Sequence, residues 1–332
     1  MHVSQPRSGI PKQLWLVLFM ALALASVWWL LRDTQDTSAG SPDLAPTPTL
    51  VSESLQTAGP PTRPVPSPTP THVPPNYADH LILSRPVSAE DNDWVARFYP
   101  YGSRGDGAYP PHHGVEFVNP TGTQVRAVSD GTVVYAGPDD LTVWGARASF
   151  YGQLIILELH DTYLQHPIYC LYGHLSAIDV SLGQQVHALQ PIGRIGSTGV
   201  AEGPHLHFEV RVGENDYRRT ANPELWLVPH SGRGTLVGQT FDSDGQSIRE
   251  ALIHLFAASN LSVPLREITT YPGSHIASDL AWQEHFCSGD LPAGDYVVRL
   301  YNGGTSIDQP VTIVEGQCAF VRFGNGPGQA PN

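Results

Sequence analysis

The stretch HLHFEVRV, residues 205–212, places two histidines one residue apart in an otherwise apolar, strand-like run. Successive side chains of a β-strand point to opposite faces, so residues two apart share a face. His205 and His207 are therefore expected to point into one space. The chain has 15 histidines, and about one such pair arises by chance in a chain of this kind, so the pair alone is a weak metal motif.

The sequence preceding this stretch is patterned like a β-protein. TQVRAVSDGTVVYAG (123–137) alternates on both sides of an Asp-Gly pair, which predicts a β-hairpin. GQLIILELH (152–160) and PIYCLYGHL (167–175) predict two more strands on either side of a polar loop. Because no long helical period interrupts these runs, we predict an antiparallel β-domain over residues 77–229.

A second β-rich unit is predicted over residues 230–326. Stretches such as GQTFDSDGQSI (238–248) and GDLPAGDYVV (289–298) combine alternating strands with Asp-Gly and Pro-Ala-Gly turns. The unit has the size of a small β-sandwich. The last residues, 327–332, are expected to be a disordered tail. The fold class predicted for the chain outside its N-terminus is therefore all-β.

The N-terminal part contains one long apolar run, LWLVLFMALALASVWWLL. As a helix it would span roughly 27 Å, close to the hydrocarbon thickness of a bilayer, so residues 13–31 are predicted to be a transmembrane signal anchor. Arg7 and Lys12 place residues 1–12 in the cytoplasm, and the remaining chain outside it, as a single-pass membrane protein. The alternative is a signal peptide cleaved after Ala-Leu-Ala (23–25), which would give a secreted protein.

Residues 32–76 are rich in proline, serine and threonine. Such a composition favours extended polyproline II backbone and cannot build a core, so this segment is predicted to be a disordered linker.

Charge and cysteine content limit the function classes. The formal net charge of −13 argues against a nucleic-acid partner, because phosphate binding needs a basic face. Cys287 and Cys318 lie in the second unit, where either a disulfide or two buried thiols is compatible with the sequence. Cys170 is interpreted as a strand residue of the core.

Three separated segments carry the residues that suit metal chemistry. In PPHHGVEFVNPTGT (110–123), His112 and Glu116 lie four apart on one face of an extended chain, with Gly114 between them. LYGHLS supplies His174 at a third predicted strand end. Zinc takes three or four nitrogen, oxygen or sulfur ligands and needs an open position for catalysis. Chance does not readily produce all three segments together.

These segments resemble the lysostaphin-type zinc metallopeptidases, the M23 or LytM group. The similarity lies in HHGVEFVNPTGTQVRAVSDGTVVYAG, LYGHLS and GSTGVAEGPHLHFEVR, in this order, and covers about residues 78–228. The resemblance implies a compact antiparallel β-fold of the lysostaphin-like, duplicated-hybrid type with a groove. It also implies one Zn²⁺ per chain, with His112, Glu116 and His207 as ligands and His174 and His205 as catalytic histidines.

The resemblance implies a zinc-dependent endopeptidase that hydrolyses peptidoglycan stem peptides or cross-bridges. The family's carboxylate ligand is normally aspartate, and Glu116 carries one more methylene. This departure leaves an alternative open, a non-catalytic domain that binds peptidoglycan or activates a partner cell-wall hydrolase. The second unit resembles carboxypeptidase-regulatory or prealbumin-like β-sandwiches, for which adhesion, wall binding or spacing is expected.

Overall fold

The described residues form an all-β structure. The computed structural model describes residues 81–105, 107–273 and 276–326, which lie within one compact unit. The predicted N-terminal segment, membrane anchor, linker and C-terminal tail lie outside these residues. Within the described part of the chain, no helix has the length and apolar character that a bilayer crossing requires.

Nine strands form the first sheet. They are β1 (Val115–Val118), β2 (Gln124–Arg126), β3 (Gly131–Pro138), β4 (Gln153–Tyr163), β5 (His166–Ile178), β6 (Gln185–Val186), β7 (Pro191–Ile195), β8 (His205–Val212) and β9 (Thr220–Ala221). Their main order is β1-β8-β5-β4-β3-β6, with β7 joining β2 to β5 and β9 pairing with β8. Two short 3-10 turns, Tyr217–Arg219 and Pro223–Leu225, flank β9.

The stretch HLHFEVRV forms β8, which lies between β1 and β5 in antiparallel pairing. Its Leu206, Phe208 and Val210 are fully buried, as the alternation of a strand over a core requires. The register sets Glu116 of β1 opposite His207, and Gly173 of β5 opposite His207 on the other side. The sheet therefore holds His207 between two neighbouring strands.

The hairpin predicted around Asp130 and Gly131 is wrong. β2 pairs with β7, whereas β3 pairs with β4 and β6. After β2 the chain turns inward: Ala127 and Val128 are buried, and the Val128 amide donates to the Tyr172 hydroxyl at 3.0 Å. Because these two residues are buried, β2 and β3 diverge, and the Asp-Gly turn does not bring them into a pair.

The two strands predicted at residues 152–160 and 167–175 are confirmed as β4 and β5, but the polar loop between them is shorter than expected. The strands extend to Tyr163 and from His166, and only Leu164 and Gln165 connect them, with φ of 51° and 67°. Positive φ at both central residues is typical of the two-residue hairpin turn whose twist matches that of the strands.

The second unit contains seven strands in two sheets. They are β10 (Arg233–Thr240), β11 (Leu252–Ala257), β12 (Arg266–Thr269), β13 (Phe286–Pro292), β14 (Gly294–Asn302), β15 (Thr305–Ile313) and β16 (Cys318–Phe323). The sheets have the orders β13-β10-β16 and β12-β11-β14-β15, and one hydrophobic core lies between them. This is a sandwich arrangement, in which the β10–β16 pair is parallel. The domain boundaries and the likeness to carboxypeptidase-regulatory modules stay predictions.

The three cysteines are free thiols in the structure. Cys287 lies on β13 opposite Val237, and Cys318 lies on β16 opposite Thr235, so β10 runs between them. Two strand spacings place their Cα atoms about 10 Å apart or more, beyond the reach of a disulfide. The thiol alternative left open by the sequence is the one found.

Candidate metal centre

The structure brings His112, Glu116 and His207 together at the edge of the first sheet. Glu116 Oε1 lies 2.8 Å from His112 Nε2 and 3.1 Å from His207 Nδ1, and the two histidine nitrogens are 3.2 Å apart. All three side chains are buried, and one candidate ligand atom from each lies within 4.8 Å of the others. Cross-strand pairing accounts for Glu116 and His207, and the loop before β1 delivers His112.

Features of this cluster fit a zinc ion. Two imidazole nitrogens and a carboxylate form a donor set that zinc prefers and leave a coordination position open. Glu116 Oε2 is buried without a hydrogen bond; its 2.7 Å contact with His205 Nε2 lies outside hydrogen-bond geometry. Gly114 leaves room for the His207 ring, because a Cβ there would lie 2.8 Å from His207 Nε2.

In each of the two candidate histidine ligands, the ring nitrogen that points away from the cluster makes a hydrogen bond. His112 Nδ1 donates to the Tyr99 carbonyl at 2.7 Å, and the Tyr99 ring stacks on the imidazole at 4.0 Å. His207 Nε2 donates to Glu209 Oε1 at 3.0 Å. Each bond fixes a ring orientation, so the neutral imidazoles, which are the forms that bind a metal, present the lone pairs of His112 Nε2 and His207 Nδ1 to the shared space.

Glu209 is the centre of a buried charged network beneath His207. It is fully buried, accepts from the Arg211 guanidinium at 2.7–2.8 Å, and also accepts from the Tyr151 hydroxyl. Arg211 is fully buried as well and donates to the Trp144 carbonyl at 2.9 Å. The network supplies charge-assisted hydrogen bonds for each buried ion, which is the condition under which such groups are stable.

The network shifts the pKa values of its members. Burial alone would raise the pKa of the Glu209 carboxyl, but the Arg211 charge and the contacts with His207 and Tyr151 together outweigh it, and the pKa falls to about 2. Burial alone would lower the pKa of His207, but hydrogen bonds to Glu116 and Glu209 raise it to about 9. Contacts with three imidazoles likewise overcome burial and hold the pKa of Glu116 well below its usual range. The Glu116 and Glu209 carboxylates are therefore both ionised at neutral pH.

His174 and His205 lie beside the cluster, with ring centroids 4.8 Å apart. His174 is inside β5 rather than at the predicted strand end. A bulge there, with φ of 61° at His174, re-aims its side chain toward the groove. His174 Nδ1 donates to the Thr198 carbonyl at 2.8 Å, and His205 Nδ1 donates to the Gly203 carbonyl at 2.9 Å. Burial, followed by its imidazole neighbours, lowers the pKa of His174 to about 3.

A groove of about 540 Å³ opens above these histidines. Tyr109 donates to Glu202 Oε2 at 2.8 Å and so links two loops that line the groove. His113 also lines it, buried, with its ring stacked on Tyr217 at 3.7 Å. The aromatic lining consists of Phe98, Tyr99, Tyr109, Phe150 and Tyr217.

Sequence reasoning missed the residues that support the cluster from outside. Glu209 and Arg211 follow His207 at spacings of two and four, so the alternation rule that paired the histidines also places them on that face. Tyr99 and Tyr151 carry no comparable signal, because both come from irregular segments whose position depends on tertiary packing.

The comparisons with known proteins agree with this geometry. Residues 110–219 match the model of peptidase family M23. The glycyl-glycine endopeptidase ALE-1 of Staphylococcus capitis is 33% identical over 44% of this chain and 36% of that protein. The peptidoglycan DD-endopeptidase ShyA of Vibrio cholerae is 36% identical over 31% of this chain and 20% of that protein. The alignments therefore span about a third or less of these relatives.

Among solved structures, the catalytic domain of lysostaphin from Staphylococcus simulans is similar at 33% identity. The match covers 39% of this chain and 86% of that domain, with a TM-score of 0.31. The histidine-carboxylate cluster of the first sheet lies within the residues that match the family model. Residues 110–219, a third of the chain, therefore resemble a domain of peptidase family M23.

Proposed function

We propose that the protein is a zinc-dependent endopeptidase that hydrolyses peptide bonds in peptidoglycan stem peptides or cross-bridges. The observation that carries the proposal is the convergence of His112, Glu116 and His207, with the catalytic candidates His174 and His205 beside them. The names of the relatives support the substrate class, since one is a glycyl-glycine endopeptidase and another a peptidoglycan DD-endopeptidase.

In the proposed mechanism, His112 Nε2, Glu116 and His207 Nδ1 hold the metal. When bound, zinc supplies a Lewis acid for the substrate carbonyl and makes water a stronger acid, with a pKa of about 7. His174 and His205 have Nδ1 committed to backbone carbonyls, so in their neutral forms Nε2 carries the lone pair. One of them accepts the proton of the attacking water at Nε2.

The other histidine, once protonated, donates a hydrogen bond from Nε2 to the oxyanion of the tetrahedral intermediate. His205 Nε2 lies 2.7 Å from Glu116 Oε2, so the His205 ring borders the proposed metal position directly. These two tasks therefore fall to His174 and His205, and substitution of each histidine tests its part in cleavage.

The groove supports a peptide substrate. Its aromatic walls offer apolar and stacking contacts to an extended chain, and it is open along the face where the histidines lie. A cell-wall substrate requires export, so we propose that the protein is anchored by residues 13–31 with its domains outside the cytoplasm, or is secreted.

The same contact between Glu116 and His205 favours one alternative. The additional methylene of glutamate lets Oε2 reach His205, and a histidine engaged by the carboxylate is less free to assist the reaction. In that case the domain binds peptidoglycan or activates a partner hydrolase without cleavage. Glu116→Asp shortens the side chain and separates the two possibilities.

The test uses the full-length chain purified in detergent. We expect about one zinc per chain by elemental analysis and new products from muropeptides by mass spectrometry. His207→Ala should lose both, whereas His205→Ala should keep zinc and lose cleavage. Zinc binding without cleavage in the wild type, with cleavage gained in Glu116→Asp, would establish the non-catalytic alternative. A folded protein that takes no zinc would reject the proposal.

A further inference from the structure

The second β-unit contacts the segment that delivers His112. This segment, Tyr99–Arg104, is named here the ligand arm. It has no strand of its own and precedes His112 in the loop before β1. A metal ligand on a loop needs support from its surroundings, because binding constellations must be held within about 0.5 Å of the productive geometry.

The ligand arm holds His112 through backbone and side-chain contacts. The Gly102 amide donates to the His112 carbonyl at 2.8 Å, and the His112 amide donates to the Ser103 carbonyl at 3.0 Å. The Tyr99 carbonyl accepts from His112 Nδ1, and the Tyr99 ring stacks on the imidazole. Movement of the arm therefore moves the candidate ligand.

The second unit in turn holds the ligand arm. Tyr271 lies in the loop between β12 and β13 and packs edge-on against Tyr101, with ring centroids 5.3 Å apart. It also packs so closely on Gly102 that a Cβ there would lie 2.6 Å from its ring. The Tyr101 hydroxyl lies 3.0 Å from the Ala277 carbonyl and 2.8 Å from the Thr220 carbonyl, and these two acceptors share its one proton.

Tyr271 is itself fixed. It is buried, its hydroxyl accepts from Asn222 Nδ2 at 2.9 Å, and it donates to Glu284 Oε1 at 3.1 Å. Glu284 is fully buried within the second unit. By contrast, both side chains of the Arg104–Glu250 ion pair, 2.7 Å apart, are exposed to solvent, so this pair adds little free energy to the contact with the arm. The buried tyrosine pair is the main contact between the second unit and the arm.

We propose that Tyr271 is a positioning residue for the metal centre, which it orders through Tyr101, Gly102 and the ligand arm. The second unit is then a structural part of the peptidase site rather than a spacer or a wall-binding appendage. The expected loss of zinc affinity rests on the proposed function. The expected effect of Tyr271 on the order of the ligand arm does not, because it concerns the protein without zinc.

The test compares Tyr271→Ala with Tyr296→Ala in the full-length chain. Both tyrosines are 6% exposed and lie in the second unit, but Tyr296 packs in the core between its two sheets and donates to the Pro292 carbonyl. Hydrogen exchange of the Gly102 and His112 amides is measured without zinc, and zinc affinity by chelator competition. Tyr271→Phe, which keeps the ring, serves as the conservative rescue.

We expect Tyr271→Ala to accelerate exchange of both amides about tenfold or more and to weaken zinc affinity about tenfold. Tyr296→Ala and Tyr271→Phe should stay near the wild type in both measurements. Equal acceleration in the two alanine variants, or none in Tyr271→Ala, overturns the inference. If Tyr271→Ala does not fold, Tyr271→Leu replaces it, because it also removes the ring from Gly102 and Tyr101, and unchanged exchange there overturns the inference as well. If the wild type has no zinc affinity, only the proposed function is rejected. The amide exchange rates still decide whether Tyr271 orders the ligand arm.

Discussion

Glu209→Gln probes whether the buried network beneath His207 prepares it as a metal ligand. The substitution keeps the shape of the side chain but removes the negative charge that His207 and Arg211 both contact. A charged hydrogen bond contributes about 1.5–3 kcal/mol and a neutral one about 0.5–1.5 kcal/mol. The difference of about 1–1.5 kcal/mol at His207 corresponds to roughly a tenfold loss of zinc affinity.

The same substitution leaves Arg211 as a buried charge without its counterion. Breaking a buried pair in this way costs about 3–5 kcal/mol of folding stability. The double variant Glu209→Gln/Arg211→Met removes the stranded charge and should recover most of that stability. It should not recover zinc affinity, because the hydrogen bond to His207 remains neutral.

Both quantities are measured on the same samples, stability by denaturant unfolding without metal and affinity by competition with a chromogenic chelator. Wild-type zinc affinity in Glu209→Gln would refute the reasoning. So would a double variant in which affinity returns together with stability, since the carboxylate would then act only on folding.

Three further predictions concern other parts of the fold. Gly114→Ala should destabilise the protein by about 1–3 kcal/mol and weaken zinc binding, because the new Cβ would lie 2.5 Å from the Phe208 carbonyl. Gly203→Ala, where no atom lies within 4 Å, is the matched control, and equal unfolding midpoints would contradict the prediction. Burial, with the charge of Asp279, raises the pKa of Glu284 from 4.5 to about 8, so the folded state holds a proton that the unfolded state releases. The free energy of unfolding should therefore fall as pH rises from about 4.5 to about 8. In urea titrations at several pH values, Glu284→Gln should remove that fall. The same pH dependence in the variant and the wild type would contradict the prediction. His174→Ala should retain zinc and lose muropeptide cleavage, and undiminished cleavage would exclude His174 as the proton acceptor.

The cluster itself was accessible from sequence because strand alternation is a short-range rule. It pairs His205 with His207, and the structure sets Glu116 opposite His207, whereas His112 lies in the loop before β1, where alternation does not apply. Short-range sequence rules failed where tertiary packing determines which strands pair. The Asp-Gly turn at Gly131 joins no hairpin because Val128 is drawn into the core.

Other features depend on contacts between distant segments. The bulge at His174 follows from how β5 fits both β4 and β8, and no residue signal in LYGHLS marks it. The Tyr271 contact with Gly102 joins parts of the chain separated by more than half its length. Long-range packing of this kind has no periodic signature in a single sequence.

A crystal structure of the zinc-loaded protein, with anomalous scattering recorded at the zinc edge, is the most direct measurement. One peak should appear between His112 Nε2, Glu116 and His207 Nδ1, with metal–ligand distances of about 2.0–2.2 Å. A peak elsewhere, or none in well-ordered crystals grown with zinc, would contradict a catalytic metal centre on this sheet.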